Sequence, residues 1–189
     1  MKYKTILIDP PWEEQMAGQY NKTRHKRPFK LPYGTMTLPE IEKLPISDYA
    51  DTGCHLWLWT TNSHLNAGFK LINIWDFKYL APITWVKPSG LGNWFIHRTQ
   101  HILFAYKEKC IFPLDRYKPN VIFASPIKHS KKPQEAYNLI EFISPPPRLE
   151  IFARDYRNGW HVWGDEVAHD IDVQHCTQKK FKPQQLIIT

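Results

Sequence analysis

Lys4–Trp12 reads KTILIDPPW, and the fold is decided there. Thr5-Ile6-Leu7-Ile8 is a short apolar run rich in β-formers, the composition of a strand buried on both faces of a sheet. Asp9-Pro10-Pro11-Trp12 ends it abruptly, because proline fixes φ, removes an amide donor and disfavours helix in the residue before it. Asp9 is therefore expected at the carboxyl end of a central strand, pointing into a crevice. Open α/β sheets bind their ligands at such crevices.

The chemistry that this stretch suits is work on an amine attached to a flat ring. Asp9 supplies a carboxylate acceptor. The Pro10 carbonyl, with no helix to consume it, supplies a second. Two acceptors facing one –NH2 group would hold both its hydrogens and leave its lone pair open to an electrophile. Pro11 shapes the turn, and the Trp12 indole would fix the ring plane by stacking. A strand followed by a turn with an incidental aspartate has the same four letters, so the motif alone does not decide.

Outward from this strand, residues 13–36 form a long polar loop with Gly18, Pro28, Pro32 and Gly34, expected to be a lid over substrate. Thr37–Leu44 reads as a short helix with Thr37 as N-cap, Glu40 completing a capping box and Pro39 in the tolerated first turn. Cys54–Thr60 has strand character. Asn62 or Ser63 caps a helix to about Ile74, with Leu65, Phe69 and Ile72 on one face. Tyr79–Val86 is a strand ending at Lys87-Pro88, and Ser89–Asn93 a glycine-containing loop. Thr99–Tyr106 and Asn120–Ala124 are further strands. Lys132-Pro133 opens the clearest helix, with Ala136, Leu139, Ile140 and Ile143 at helical spacing, and Ser144-Pro145-Pro146-Pro147 stops it. Arg148–Arg154 and Trp160–Trp163 are strands, and residues 167–189 a polar tail ending in Leu186-Ile187-Ile188.

Strands alternating with helices imply an α/β fold with a mostly parallel sheet covered on both faces. No glycine-rich dinucleotide fingerprint is present. At 189 residues the chain is expected to be one domain, residues 1–166, followed by the tail. The absence of a signal pattern and of a long apolar run predicts a soluble, cytoplasmic protein with no membrane partner. Cys54, Cys110 and Cys176 are isolated, which argues against a disulfide framework, and no metal site is expected.

The net charge of +7 is clustered. Lys22, Arg24, His25, Lys26, Arg27 and Lys30 form one group, Lys128, Lys131 and Lys132 another, and Lys179, Lys180 and Lys182 a third. Such groups attract phosphate or simply keep a protein soluble. The first cluster follows the candidate site directly, and an aromatic content of 14% could supply base-stacking platforms.

Several stretches together resemble one family. They are ILIDPPW (6–12), PYGTMT (32–37), HLWLWTTN (55–62), ITWVKP (83–88), HSKKPQEAYNLIE (129–141), RLEIFAR (148–154) and GWHVWGDE (159–166). In this order they are similar to the S-adenosylmethionine-dependent adenine-N6 methyltransferases with a DPPW signature. That is the family of the catalytic subunit of the eukaryotic mRNA adenosine methyltransferase. The resemblance implies a Rossmann-like methyltransferase fold in permuted order, the catalytic strand first and the cofactor-binding strand late.

It also implies roles. Asp9, Pro10, Pro11 and Trp12 would be the catalytic set. Ile8, Asp9, Lys132, Glu150, Arg154, Tyr156, Asp165 and Glu166 would bind S-adenosylmethionine. Trp12, Tyr33, Lys87, Lys22, Arg24, Lys26 and Arg27 would lie on the substrate side. Trp57, Trp59 and Trp85 are expected to be core. Two departures bear on this. His101-Ile102 stands where the family often has His-Glu, and Gly-Asp-Glu at 164–166 replaces the commoner Gly-Asn-Glu or Gly-Asn-Gln.

The expected function is methyl transfer to the exocyclic amine of adenine in DNA. RNA is the alternative substrate, and a non-catalytic nucleic-acid-binding subunit the alternative role. A homodimer or a heteromeric partner fits either.

Overall fold

The computed structural model describes residues 1–13, 34–91, 94–112, 117–126, 132–165, 167, 170, 171 and 173. The apolar run that opens the chain is strand β1 (Tyr3–Ile8), with Ile6, Leu7 and Ile8 all fully buried. Burial of alternate residues on opposite sides requires cover on both faces of the sheet, and the rest of the chain supplies it.

β1 sits between β2 (Ala50–Thr60) and β6 (Arg148–Ile151), parallel to both. β7 (Trp160–Trp163) continues the parallel half beside β6. On the other side β4 (His97–Tyr106) runs antiparallel to β2 and to β3 (Lys78–Leu91), and β5 (Val121–Phe123) lies parallel to β3. The seven-stranded order is β5-β3-β4-β2-β1-β6-β7. Parallel pairings predominate, as expected, but β4 is reversed. The cause is the hairpin β3–β4, in which two consecutive strands join without a crossover helix.

The hairpin also changes two boundaries. β3 runs on through Lys87-Pro88 to Leu91, so much of the expected glycine-containing loop is strand. Gly90 makes this possible, since a Cβ there would stand 2.1 Å from the His97 carbonyl oxygen. β6 ends at Ile151, earlier than the expected Arg154, because Phe152 takes a left-handed φ of 65° and turns the chain out of the sheet.

One face carries α1 (Leu38–Glu42), α2 (Ile46–Tyr49) and α3 (Leu65–Ile74), packed through Ile41, Ile46, Leu71 and Ile72 onto Ile6, Ile8, Leu56 and Leu58. α4 (Gln134–Ile143) covers the other, with Ala136 and Ile140 against Leu7, Trp57 and Trp59. Each fully buried leucine- or isoleucine-sized side chain stabilises by about 1.5–3 kcal/mol. The capping box of α1 is present, with Glu40 Oε2 accepting from the Thr37 amide at 2.8 Å. In α3 the buried stripe is Gly68, Leu71 and Ile72, whereas Phe69 is exposed. It points away from the face expected and meets Tyr79 edge-on.

Trp57, Trp59 and Trp85 are core residues. Ser144 holds two of the buried polar rings, accepting from Trp57 Nε1 at 2.9 Å and bonding His55 Nδ1 at 2.8 Å. Cys54 and Cys110 are free thiols. Beyond residue 166, Asp170 pairs with Val162 through its carboxylate and its amide, and Val173 is buried. Among the described residues no helix is long and apolar enough to cross a membrane.

Candidate active site

Asp9 leaves β1 at its carboxyl end, where its amide reaches the Ile151 carbonyl at 3.5 Å. The Asp9 side chain is 26% exposed, so one carboxylate faces the crevice at the ends of the parallel strands. The Pro10 carbonyl accepts the Trp12 amide at 2.8 Å, closing a γ-turn around Pro11. It is thus partly used, and its second lone pair is what remains for a ligand. The Pro11 carbonyl takes the Met36 amide at 2.9 Å.

Trp12 does not stand open as a platform. It is buried, with Nε1 donating to the Trp59 carbonyl at 3.3 Å and its ring stacked on His64 at 4.9 Å and 15°. His64 is fixed in turn by Thr61 Oγ1 at 2.8 Å and the Glu13 carbonyl at 3.2 Å. The tight turn drops a large apolar ring into the notch beside the 3-10 turn Asn62–His64, where it is removed from water. The expected stacking face for a substrate ring is corrected accordingly. Trp12 anchors the turn that carries Asp9 and Pro10, and one of its faces is taken.

Beside Asp9 lies a buried ion network. Lys132 Nζ stands 3.1 Å from Asp9 Oδ2 and 3.2 Å from Glu150 Oε1, with side-chain exposures of 7% for Lys132 and 3% for Glu150. Tyr137 donates its hydroxyl to the same Glu150 oxygen at 2.9 Å. The Arg157 guanidinium lies 3.7 Å over the Tyr137 ring. Burial works against the Lys132 charge, but the carboxylates of Asp9 and Glu150 outweigh it and raise its pKa well above the usual lysine range. Placed with the second basic cluster by sequence, Lys132 is not a solvated phosphate-attracting residue. It precedes α4 and is folded inward by two carboxylates from adjacent strands.

Of the other cofactor residues, Ile8 is wholly buried in the core, so its side chain does not reach the crevice. Arg154 and Asp165 follow the carboxyl ends of β6 and β7, the end that carries Asp9. Gly164 seals that edge, for a Cβ there would lie 2.1 Å from the Ala153 carbonyl oxygen. Tyr156 is not brought to the site. It lines a cavity of about 320 Å³ with Pro147, Trp160 and His161, at the amino ends of β6 and β7. Residues 152–159 carry the chain back across the sheet between these parallel strands, and Tyr156 lies on the return. Lys87 is half-buried over the Trp85 ring at 5.4 Å, and burial lowers its pKa. Tyr33, Glu166, Lys22, Arg24, Lys26 and Arg27 lie outside the described residues, as do most of the expected lid and the basic groups at 128–131 and 179–182.

Sequence reasoning missed Tyr137 and His64, whose partners lie far along the chain. A signal for Tyr137 did exist, five residues beyond Lys132 on the α4 face that meets β6. A second polar cluster was also missed. His101 bonds Asn62 Oδ1 at 3.1 Å and Thr84 Oγ1 at 3.1 Å, and Asn62 Nδ2 donates to the Thr99 carbonyl at 3.0 Å. Burial lowers the His101 pKa, and the ring joins β3, β4 and the 3-10 turn Asn62–His64 at the catalytic end. Among the described residues no group of three potential metal ligands occurs.

Comparison with known proteins gives these positions a context. The MT-A70 family model matches residues 3–166. The human N(6)-adenosine-methyltransferase catalytic subunit METTL3 is 30% identical over 178 residues, covering 88% of this chain and 28% of that protein. An Arabidopsis thaliana N(6)-adenosine-methyltransferase, MT-A70-like, is 29% identical over 192 residues, covering 95% of this chain and 26% of that protein. Human N(6)-adenine-specific methyltransferase METTL4 is 29% identical over 186 residues, covering 87% of this chain and 37% of that protein. The chain thus matches little more than a quarter of the METTL3 relative's length. Since the family match runs from the first residue of β1 to just beyond β7, the chain belongs to the MT-A70 family.

Proposed function

We propose that this chain transfers a methyl group from S-adenosylmethionine to the N6 amine of adenine in DNA. The observation that carries the reading is the pair of acceptors at the end of β1. Asp9 presents a partly exposed carboxylate, and the Pro10 carbonyl beside it keeps one lone pair, both on a turn pinned by Trp12 and His64.

The residues at the crevice fit the cofactor. An amino-acid zwitterion needs a cation and an anion side by side, and Lys132 and Asp9 are 3.1 Å apart. The amino end of α4 next to Lys132 adds amide donors for a carboxylate. Asp165, exposed past β7, is an acceptor suited to ribose hydroxyls. The bound cofactor supplies an electrophilic methyl group on sulfur.

The chain's own residues handle the amine. Its lone pair is shared with the ring, so it is a poor nucleophile until its hydrogens are held. Asp9 and the Pro10 carbonyl accept one hydrogen each and favour a more tetrahedral nitrogen. Orientation of this kind is worth up to about 7–11 kcal/mol in favourable models. Asp9 also stabilises the developing positive charge and is the nearest acceptor for the departing proton. No covalent enzyme intermediate is needed, and burial pushes the Cys54 thiol up to about 12, which leaves it inert.

The METTL4 relative is named for the base adenine, which leaves DNA open as the substrate. RNA is the second reading, favoured by the relatives named adenosine-methyltransferases. Labelled methyl transfer to duplex DNA, single-stranded DNA and RNA, followed by nucleoside analysis, tests both. N6-methyladenine from DNA, lowered by about 10²- to 10³-fold or more in Asp9→Asn, is expected. Product from RNA alone would move the substrate, and full activity in Asp9→Asn would overturn the mechanism. METTL3 is named a catalytic subunit, so light scattering of this chain alone and with candidate partners belongs to the same test. A cytoplasmic location remains part of the proposal.

A further inference from the structure

One side chain grips the catalytic turn in two places. The His64 ring lies flat on the Trp12 indole, 4.9 Å away and tilted by 15°, and His64 Nε2 meets the Glu13 carbonyl at 3.2 Å. A carbonyl can only accept, so Nε2 carries the ring proton. In the neutral ring Nδ1 is then an acceptor, and the Thr61 hydroxyl donates to it at 2.8 Å. A hydrophobic side chain would cover Trp12 as well. What the imidazole adds is a donor and an acceptor in the ring plane, which orient the ring as well as bury its neighbour.

The grip reaches the acceptor pair through the backbone. The Trp12 amide donates to the Pro10 carbonyl at 2.8 Å, so the seat of Trp12 sets where that carbonyl's second lone pair points. Pro10 and Pro11 have no amides with which to tie the turn down. Trp12 does so instead, through Nε1 on the Trp59 carbonyl and the stack on His64. His64 is in turn rooted in the antiparallel half. It ends the 3-10 turn that Asn62 begins. Asn62 donates to the Thr99 carbonyl at 3.0 Å and accepts from His101 Nε2 at 3.1 Å, and both partners lie on β4. The turn Asn62–His64 is thus a bracket between β4 and the residues that follow Pro11.

We infer that His64 is a positioning residue for methyl transfer, aiming the Pro10 carbonyl at the substrate amine through Trp12. It touches neither reactant. The inference rests on the proposed use of the Pro10 carbonyl as an acceptor and adds the side chain that directs it.

The test combines methyl-transfer kinetics of His64→Ala, His64→Phe and His64→Gln with calorimetric binding of S-adenosylmethionine and hydrogen exchange of backbone amides. His64→Ala should lower kcat by about 10- to 100-fold, the cost of moving a positioned group by up to about 1 Å. The KM for nucleic acid and the cofactor dissociation constant should stay within about threefold. His64→Phe keeps the stack and should recover much of kcat. His64→Gln keeps a donor without a ring and should recover less. In the protein without substrate, the Trp12 amide should exchange about tenfold faster or more in His64→Ala, while the amides of β1 stay protected.

Wild-type kcat in His64→Ala overturns the inference, as does an unchanged exchange rate at Trp12. It is overturned too if the loss falls on KM alone, or if fast exchange spreads over β1 and the melting temperature drops in step with kcat, as a purely structural role requires. Should His64→Ala not fold, a kcat for His64→Phe no higher than that for His64→Gln overturns it. The exchange readout needs no turnover. Absence of methylated nucleoside from any substrate would therefore count against the proposed function, while exchange at Trp12 still decides whether His64 holds the turn.

Discussion

The two halves of the sheet handle charge in opposite ways. In the parallel half, Lys132 is buried between Asp9 and Glu150, and every distance in that cluster is set by β1, β6 and the start of α4. In the antiparallel half, Arg98 and Lys87 lie along a hairpin with no carboxylate of its own. Paired and buried charge fixes geometry, whereas charge without a carboxylate partner, as on exposed Arg98 and half-buried Lys87, is left to attract anions. The first suits a site that must hold a small ligand in one pose, and the second a surface that must catch a long polyanion.

The contrast breaks most sharply at Lys132. Lys132→Met leaves two carboxylates facing each other without their cation, and urea unfolding should show a loss of about 3–5 kcal/mol. Because the Lys132 pKa is raised on folding, its contribution is complete below about pH 10 and fades only as pH climbs through the higher folded value. Acid should act elsewhere in the parallel half. Burial lowers the His55 pKa to about 4, and the unfolded chain titrates near 6.5. Stability tied to His55 is thus present above about 6.5 and is lost as pH falls toward 4, by on the order of a few kcal/mol. Melting temperatures measured from pH 7.5 to 4 check this.

Tyr137→Phe sharpens the same network. It removes one donor to Glu150 and leaves Lys132 in place, so the expected loss is about 1.5–3 kcal/mol. Methyl transfer should fall with it, because Glu150 is then held on one side only. The smallest effect belongs to the hairpin. Arg98→Gln should change stability by less than about 0.5 kcal/mol while weakening nucleic-acid binding. A stability loss rivalling that of Lys132→Met would show that the hairpin charge is structural and that the two halves are alike after all.

Much of the parallel half could be read from the sequence because its signals are local. A β-branched run ended by two prolines marks β1 and its carboxyl end, and apolar residues at helical spacing mark α4. The direction of β4 was legible but missed, since only a glycine-containing loop and no helix separates the strands read at 79–86 and 99–106, and a parallel pair needs a longer crossover. The burial of Lys132 was hidden. A lysine before proline at a helix start looks solvated until β1 and β6 bring Asp9 and Glu150 to either side. Trp12 was read as a free stacking surface because its partner His64 lies on the far side of α1, α2 and β2 in the chain.

The shared lysine also sets an order on heredity. A lineage that lost Lys132 first would carry two facing carboxylates through a deep loss of stability. Neutralising Glu150 beforehand leaves a simple Asp9–Lys132 pair and a shallower step. Changes at these three positions are therefore tied to one another in sequence and in sign. A descendant that abandons the chemistry is expected to give up Glu150 before Lys132, so that relics of this site keep a matched Asp9–Lys132 pair rather than a lone buried charge of either sign.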